Sequence, residues 1–252
     1  MDWTRFAVRQ EEGVAYVWLN RPDKLNALDG SMLKEFRTLL DQLQHDPAVR
    51  VVVLSGKGRA FCAGRDLKEK NPLSIIEGVT ENLQGTWGTA LYNFTKPVIA
   101  AINGICLGAG LDMALFSDIR LASREAVLGY TEVDYGMVVG TGGIQALSRV
   151  VGAGEAAHLV LTGARIAAER AKEIGLVTAV YEPEELLPET EKLAAALARK
   201  SPWAMVYAKQ ILRQGWELTR EASMRHDAYV SALLRTTPER QEGIASFKKE
   251  GQ

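Results

Sequence analysis

The stretch Lys96-Pro97-Val98-Ile99-Ala100-Ala101-Ile102-Asn103-Gly104-Ile105-Cys106-Leu107-Gly108-Ala109-Gly110-Leu111-Asp112-Met113-Ala114-Leu115-Phe116 decides the fold. Pro97 to Ile102 is a continuous apolar run, the pattern of a strand covered on both faces. It stops at Asn103-Gly104, a turn signal. Leu107-Gly108-Ala109-Gly110 then leads into helix formers from Leu111 to Phe116. Because the glycines directly precede this helix, the unpaired amides of its first turn and the positive end of its dipole face whatever binds there. Upstream the same motif occurs once more. Val49 to Leu54 is a β-branched run that empties into Ser55-Gly56-Lys57-Gly58 and then Ala60-Phe61-Cys62-Ala63-Gly64-Arg65-Asp66-Leu67-Lys68. Before it, Ser31 to Gln44 places Met32, Phe36, Leu39, Leu40 and Leu43 at helical spacing, with Asp29 or Ser31 as cap. The chain opens with two apolar runs between Ala7 and Leu19 split by Glu11-Glu12-Gly13, which predicts a hairpin.

Downstream, Ile119 to Ala122 and Ala126 to Gly129 read as short strands, and helical patterns follow at Gly143 to Val150, Ala153 to Thr162 and Ala167 to Ile174. From Pro188 onward only helices are predicted, including Glu191 to Arg199, Trp203 to Gly215 and Glu221 to Leu234. The expectation is an α/β core over 1–187 and a helical region over 188–252 that packs on the core or on another subunit.

Composition narrows the function. With 47% hydrophobic residues over 252 positions the chain can bury a sizeable core. Thirty basic against thirty-one acidic residues leave a net charge of -1, so no global positive field gathers nucleic acid or anionic membrane. No stretch has the roughly 18 consecutive apolar residues of a membrane span, and Met1 to Arg5 starts no signal-peptide pattern. The expected compartment is therefore the cytoplasm. Cys62 and Cys106 are too few for a disulfide framework or a cysteine zinc site, and no His/Cys/Asp spacing suggests a metal. His45, His158 and His226 are scattered and read as surface or packing residues. Gly140-Thr141-Gly142-Gly143 lacks the spacing of a dinucleotide loop, and no Gly-x-Ser-x-Gly elbow occurs.

The two glycine-bearing loops can each present free N–H groups, which is how an oxyanion hole is built. Asp112 lies three residues after Ala109, on the same helix face. A second acid, Glu132, follows the strand-like run ending at Gly129. Two carboxylates beside an oxyanion hole suit proton transfer at the carbon next to a carbonyl. Each residue also has an ordinary reading: Asp112 as a solvated helix residue or cap, Glu132 as a surface carboxylate, Arg65 and Lys68 as solvated charges, and the glycines as close-packing positions.

At these residues the chain resembles the enoyl-CoA hydratase/isomerase superfamily, also called the crotonase family. The resemblance covers nearly the whole chain. It is carried by Leu19-Asn20-Arg21-Pro22 with Leu25-Asn26-Ala27-Leu28, by Ser55-Gly56 through Cys62-Ala63-Gly64-Arg65-Asp66-Leu67-Lys68, by Lys96 to Gly104, and by Glu242-Gly243-Ile244 with Phe247. It implies a crotonase-like spiral of ββα turns with a C-terminal helical trimerisation region, assembled as a homotrimer or homohexamer. It also implies an oxyanion hole formed by the backbone N–H groups of Arg65 and Ala109. The acids would be Glu132 and Asp112. Substrate and coenzyme A contacts fall on Lys24, Ala63, Gly64, Arg65, Asp66, Leu67, Lys68, Gly108, Gly140, Phe247 and Lys248, with Lys249 ending that tail. No separate cofactor is implied, since coenzyme A is part of the acyl-CoA thioester substrate.

Departures from the family pattern shape the expected reaction. Hydratases of the family usually carry glutamate at both acid positions, whereas this chain has Asp112 at the first. Aspartate is shorter by about 1.5 Å, which matters where proton transfer needs approach to about 3 Å. An aspartate there with the later glutamate also resembles the dienoyl-CoA isomerases, but their further aspartate is matched by Gly140, and the usual proline before it by Val139. Tyr130 stands where hydratases commonly have glutamine. Trp87 falls in the variable segment after Asn71-Pro72 that often covers the acyl pocket. The expected activity is hydration of a 2-enoyl-CoA. Enoyl-CoA or dienoyl-CoA double-bond isomerisation is the alternative, and a non-catalytic CoA-ester or RNA-binding role is a third. The helix from Ser31 to Gln44 has only Lys34 and Arg37 as cations, which is no basic stripe for RNA.

Overall fold

The computed structural model describes residues 3–69, 76 and 86–250, with side chains as far as residue 245 in the last helix. The chain begins with β1 (Phe6–Glu11) and β2 (Val14–Leu19), an antiparallel hairpin. Its two-residue turn puts Glu12 at φ 47° and Gly13 at φ 83°. Positive φ at both positions matches the strand twist, which is why glycine belongs there.

Each later unit repeats one design. A strand of a large sheet turns after a few residues into a short strand of a second sheet, and a helix or loop returns the chain. The pairs are β3 (Val51–Gly56) with β4 (Ala60–Cys62), β5 (Val98–Ile102) with β6 (Ile105–Leu107), and β7 (Ile119–Ser123) with β8 (Val127–Gly129). The large sheet has the order β1-β2-β3-β5-β7-β10, closed by β10 (Ala179–Tyr181), and the small one β4-β6-β8-β9, closed by β9 (Arg165–Ala167). In the large sheet every pairing from β2 onward is parallel, and in the small sheet β8 and β9 pair antiparallel. The result is a spiral of ββα turns.

Alternation along the central strands explains why they read as unbroken apolar runs. Val52, Leu54, Val98, Ala100 and Ile102 join a core on one face of the large sheet, with the buried side of α1 (Gly30–His45), α2 (Trp87–Tyr92) and α3 (Ala109–Phe116). Val51, Val53, Ile99 and Ala101 point the other way, into a second core with Leu186, Ala194 and Ala198. Period-two side chains buried on both faces leave no polar positions. Helix α1 begins as expected, with the Asp29 carboxylate accepting from the Met32 N–H at 2.7 Å.

After β8 the chain forms α4 (Gly143–Val151), α5 (Ala153–Thr162) and α6 (Ala168–Glu173). Then α7 runs over Pro183–Ala198, α8 over Pro202–Gln214, α9 over Arg220–Leu234 and α10 over Pro238–Glu250. Helix α7 begins five residues before Pro188 and contains it, so the division at 187/188 falls within one helix. Pro188 removes one helical N–H, yet the helix continues because Leu186, Thr190, Ala194 and Ala198 bury against the large sheet. Strands β9 and β10, three residues each, go unread in the sequence; only their sheet neighbours define them. Among the described residues no helix is long and apolar enough to cross a membrane.

Candidate functional site

The first glycine-bearing loop is held by a buried asparagine. Asn26 accepts from the Arg21 N–H at 2.8 Å and donates to the carbonyls of Lys57 at 3.0 Å and Ala60 at 2.8 Å. Gly64 accepts from the Leu28 N–H at 2.8 Å, and the Asp66 N–H donates to Leu28 at 3.0 Å, which lays residues 64–66 alongside Leu28 like a short extra strand. The Arg21 guanidinium then ties Asp66 at 3.0 Å and Asp29 at 3.1 Å. The Lys68 N–H and the Arg21 guanidinium hold the Asp66 carboxyl below the usual carboxylate range. Asp66 thus serves the shape of the loop.

Two glycines bring this loop against the second. Gly64 adopts φ +98°, and a Cβ there would stand 3.0 Å from the Leu107 carbonyl and 3.6 Å from the Ala109 nitrogen. A Cβ on Gly110 would lie 2.2 Å from the Cys62 carbonyl, so only glycine lets the start of α3 approach the end of β4 this closely. The N–H of Ala109, first residue of α3, therefore lies beside the Gly64-Arg65 peptide. Among the described residues no loop or cap hydrogen bond engages the N–H of Arg65 or of Ala109. The helix offers its dipole at the same point. The Arg65 side chain turns away to Glu69 at 3.4 Å.

Both acids flank this cleft, and their surroundings differ. Glu132 opens a 3-10 turn, Glu132–Tyr135, directly after β8. Its Oε1 lies over Gly108, where a Cβ would be 2.0 Å away, and its Oε2 is buried with no hydrogen-bond partner. Burial raises its carboxyl above the ordinary glutamate value, against hydrogen bonds from its own and the Thr131 backbone. Asp112 is completely buried. Its two oxygens accept from the hydroxyls of Tyr130 and Thr141. Burial pushes the Asp112 carboxyl up to about 6, opposed by those two hydroxyls. The start of α4 closes over it: a Cβ on Gly143 would fall within 1.6 Å of Asp112 Oδ1.

The remaining expected contacts divide. Lys24, Leu67 and Lys68 are exposed around the first loop, Ala63 is half-buried in it, and Lys24 is near enough to act on the charge of Asp66. Gly140 is exposed, with no other group within 4 Å of where its Cβ would stand. Phe247 and Lys248 belong to α10, and their side chains lie outside the described residues, as does the segment from Asn71-Pro72. Trp87 is a core aromatic, its ring 6.2 Å from that of Phe36 and 6.4 Å from that of Phe116. Tyr130 is equally buried and serves Asp112. Sequence reasoning passed over Thr141 in this role, although a buried carboxylate must find donors and hydroxyls flank the motif on both sides.

A cavity of about 720 Å³ lies between α4, the end of α3 and α8, with Leu115, Ala146, Val150, Met205, Leu212 and Trp216 among its lining. Thr141 and Gly142 also line it.

Comparison with known proteins gives a consistent result. The sequence profile described as enoyl-CoA hydratase/isomerase matches residues 9–252. The 2,3-dehydroadipyl-CoA hydratase of Escherichia coli is 36% identical over 95% of this chain and 94% of that protein. The short-chain-enoyl-CoA hydratase of Clostridium acetobutylicum is 34% identical over 98% of this chain and 95% of that protein. The crystal structure of enoyl-CoA hydratase from Bacillus anthracis superposes with a TM-score of 0.93 at 34% identity, covering 98% of this chain and 97% of that one.

Proposed function

The chain belongs to the enoyl-CoA hydratase/isomerase family, and on that premise we propose that it adds water across the double bond of a 2-enoyl-CoA thioester. The thioester oxygen accepts from the N–H groups of Arg65 and Ala109. These donors are fixed before the reaction, so they stabilise the enolate more than the ground state. Glu132 exchanges a proton with the α-carbon, and Asp112 serves the water that attacks the β-carbon. Lys24 and Lys68, exposed around the first loop, would meet the coenzyme A phosphates. The observation that carries this reading is the buried, unpartnered Oε2 of Glu132 beside Gly108 and the start of α3. An orphan carboxylate oxygen is costly, and substrate supplies its missing partner.

A second reading, double-bond isomerisation, draws on the contrast between the acids. Asp112 already accepts two hydroxyls, while Glu132 alone has a free oxygen, and one base can move a proton between two carbons. Assaying the purified protein against 2-enoyl-, 3-enoyl- and dienoyl-CoA esters separates the two. A 3-hydroxyacyl-CoA from the 2-enoyl ester supports hydration, and a shifted double bond without hydrated product supports isomerisation.

Assembly belongs to the same proposal. Trp203, Leu212, Trp216, Met224, Tyr229 and Leu233 expose between 53% and 76% of their surface on or beside α8 and α9. Large apolar side chains in such number favour burial against further copies of the chain, and the family resemblance implies a homotrimer, alone or paired as a hexamer.

A further inference from the structure

Asp112 presents a difficulty for any hydratase reading of this cleft. Its side chain is completely buried, roofed by Gly143, and each of its oxygens accepts a hydroxyl. A water poised at the β-carbon has no open route to it. The two hydroxyls on it are not equivalent. Tyr130 is 1% exposed, so its oxygen faces protein. Thr141 is half-buried, between the exposed Gly140 and Gly142, whose surroundings are open. A hydroxyl has one hydrogen to donate and two lone pairs to accept with. Thr141 spends its hydrogen on Asp112, and among the described residues nothing donates to its oxygen.

We propose that Thr141 is a catalytic proton relay: the attacking water donates to Thr141 Oγ1, and the threonine's own hydroxyl proton passes to Asp112 Oδ2. The hydroxyl thereby spans the distance that an aspartate leaves short. The step balances. The water O–H bond breaks as the water proton joins Thr141 Oγ1, the Thr141 proton joins Asp112, and the water oxygen bonds to the β-carbon. The π electrons move to the α-carbon as an enolate held by the Arg65 and Ala109 N–H groups, and protonated Glu132 delivers its proton to that carbon. Afterwards Asp112 returns one proton to solvent and Glu132 takes one up. This inference rests on the hydratase reading and adds to it a residue and a path.

The test compares wild type, Thr141→Val and Thr141→Ser in two assays across pH: hydration of crotonyl-CoA, and exchange of the α-hydrogens of butanoyl-CoA with deuterated water, which needs Glu132 and the two N–H groups but no attacking water. The relay predicts that Thr141→Val loses hydration by about 100-fold or more at every pH, within the usual range for general acid–base catalysis, while exchange stays within a few-fold. Thr141→Ser should keep hydration within about tenfold, because the hydroxyl remains. Hydration by Thr141→Val within a few-fold of wild type, or recovered by raising the pH, would reduce Thr141 to tuning Asp112 and overturn the relay while leaving the hydratase reading intact. Parallel loss of exchange and hydration in Thr141→Val would assign the residue to holding the cleft together and also overturn it. Wild type that exchanges but hydrates no enoyl-CoA would overturn both the relay and the hydratase reading.

Discussion

Gly108 and Glu132 stand so close that a Cβ on the glycine would lie 2.0 Å from the glutamate Oε1. The glycine is also at φ 53°, ψ -122°, a combination essentially closed to other residues. Two separate demands therefore fall on one position, a backbone shape and an empty space. Gly108→Ala should lower turnover by about 100-fold or more, because Glu132 must move from the cleft. It should also cost on the order of 1–3 kcal/mol through backbone strain. Steady-state kinetics and urea unfolding of the same preparation check both. Wild-type turnover in this variant would mean that the present Glu132 position is not the working one.

Asp112 should leave a signature in stability against pH. Burial lifts its carboxyl to about 6, whereas an unfolded aspartate titrates near about 4. The folded state thus holds the proton more tightly, so this group's contribution to stability is fully present below about pH 4 and is lost as the pH rises through about 6, by on the order of 3 kcal/mol. Asp112→Asn removes this loss. Denaturant unfolding at a series of pH values should show a flatter profile for the variant across that window, and an unchanged slope would place the charge elsewhere.

Asn26 should be a structural keystone of the first loop. Its three hydrogen bonds satisfy one N–H and two carbonyls at a completely buried position. Asn26→Ala strips those partners and should destabilise the protein by about 3 kcal/mol or more. Calorimetry measures this directly, and a change under about 0.5 kcal/mol, the usual effect of a surface substitution, would contradict it.

The exposed aromatic and aliphatic side chains of α8 and α9 predict self-association. Light scattering of wild type at micromolar concentration should give a mass near a multiple of three chains. The double variant Leu212→Glu with Trp216→Glu should shift it toward one chain, because like charges then face the partner surface. A wild-type monomer would remove the assembly proposal.

How far the sequence was legible follows from what each signal depends on. The hairpin, α1 and the runs over β3 and β5 were readable because period and capping are local properties of neighbouring residues. Strands β9 and β10 were not, since three residues hold no period and exist through their neighbours. A helix after Leu107-Gly108 was readable because the glycines mark its beginning, and it starts at Ala109. The partnership of Asp112 with Tyr130 and Thr141 was not, because it joins three elements separated by 18 and 29 positions. The resemblance to a family pointed at Asp112 through its departure from glutamate, yet only the packing of α4 over α3 brings up the hydroxyl that compensates for the missing reach.

The central claim is that this cleft adds water. Incubating the purified protein with crotonyl-CoA in isotopically labelled water and analysing the product by mass spectrometry tests it most directly. The account predicts a 3-hydroxyacyl-CoA carrying one labelled oxygen, formed at least about 100-fold more slowly by Glu132→Gln. Recovery of unhydrated crotonyl-CoA together with isomerised double bonds and no labelled oxygen would contradict it.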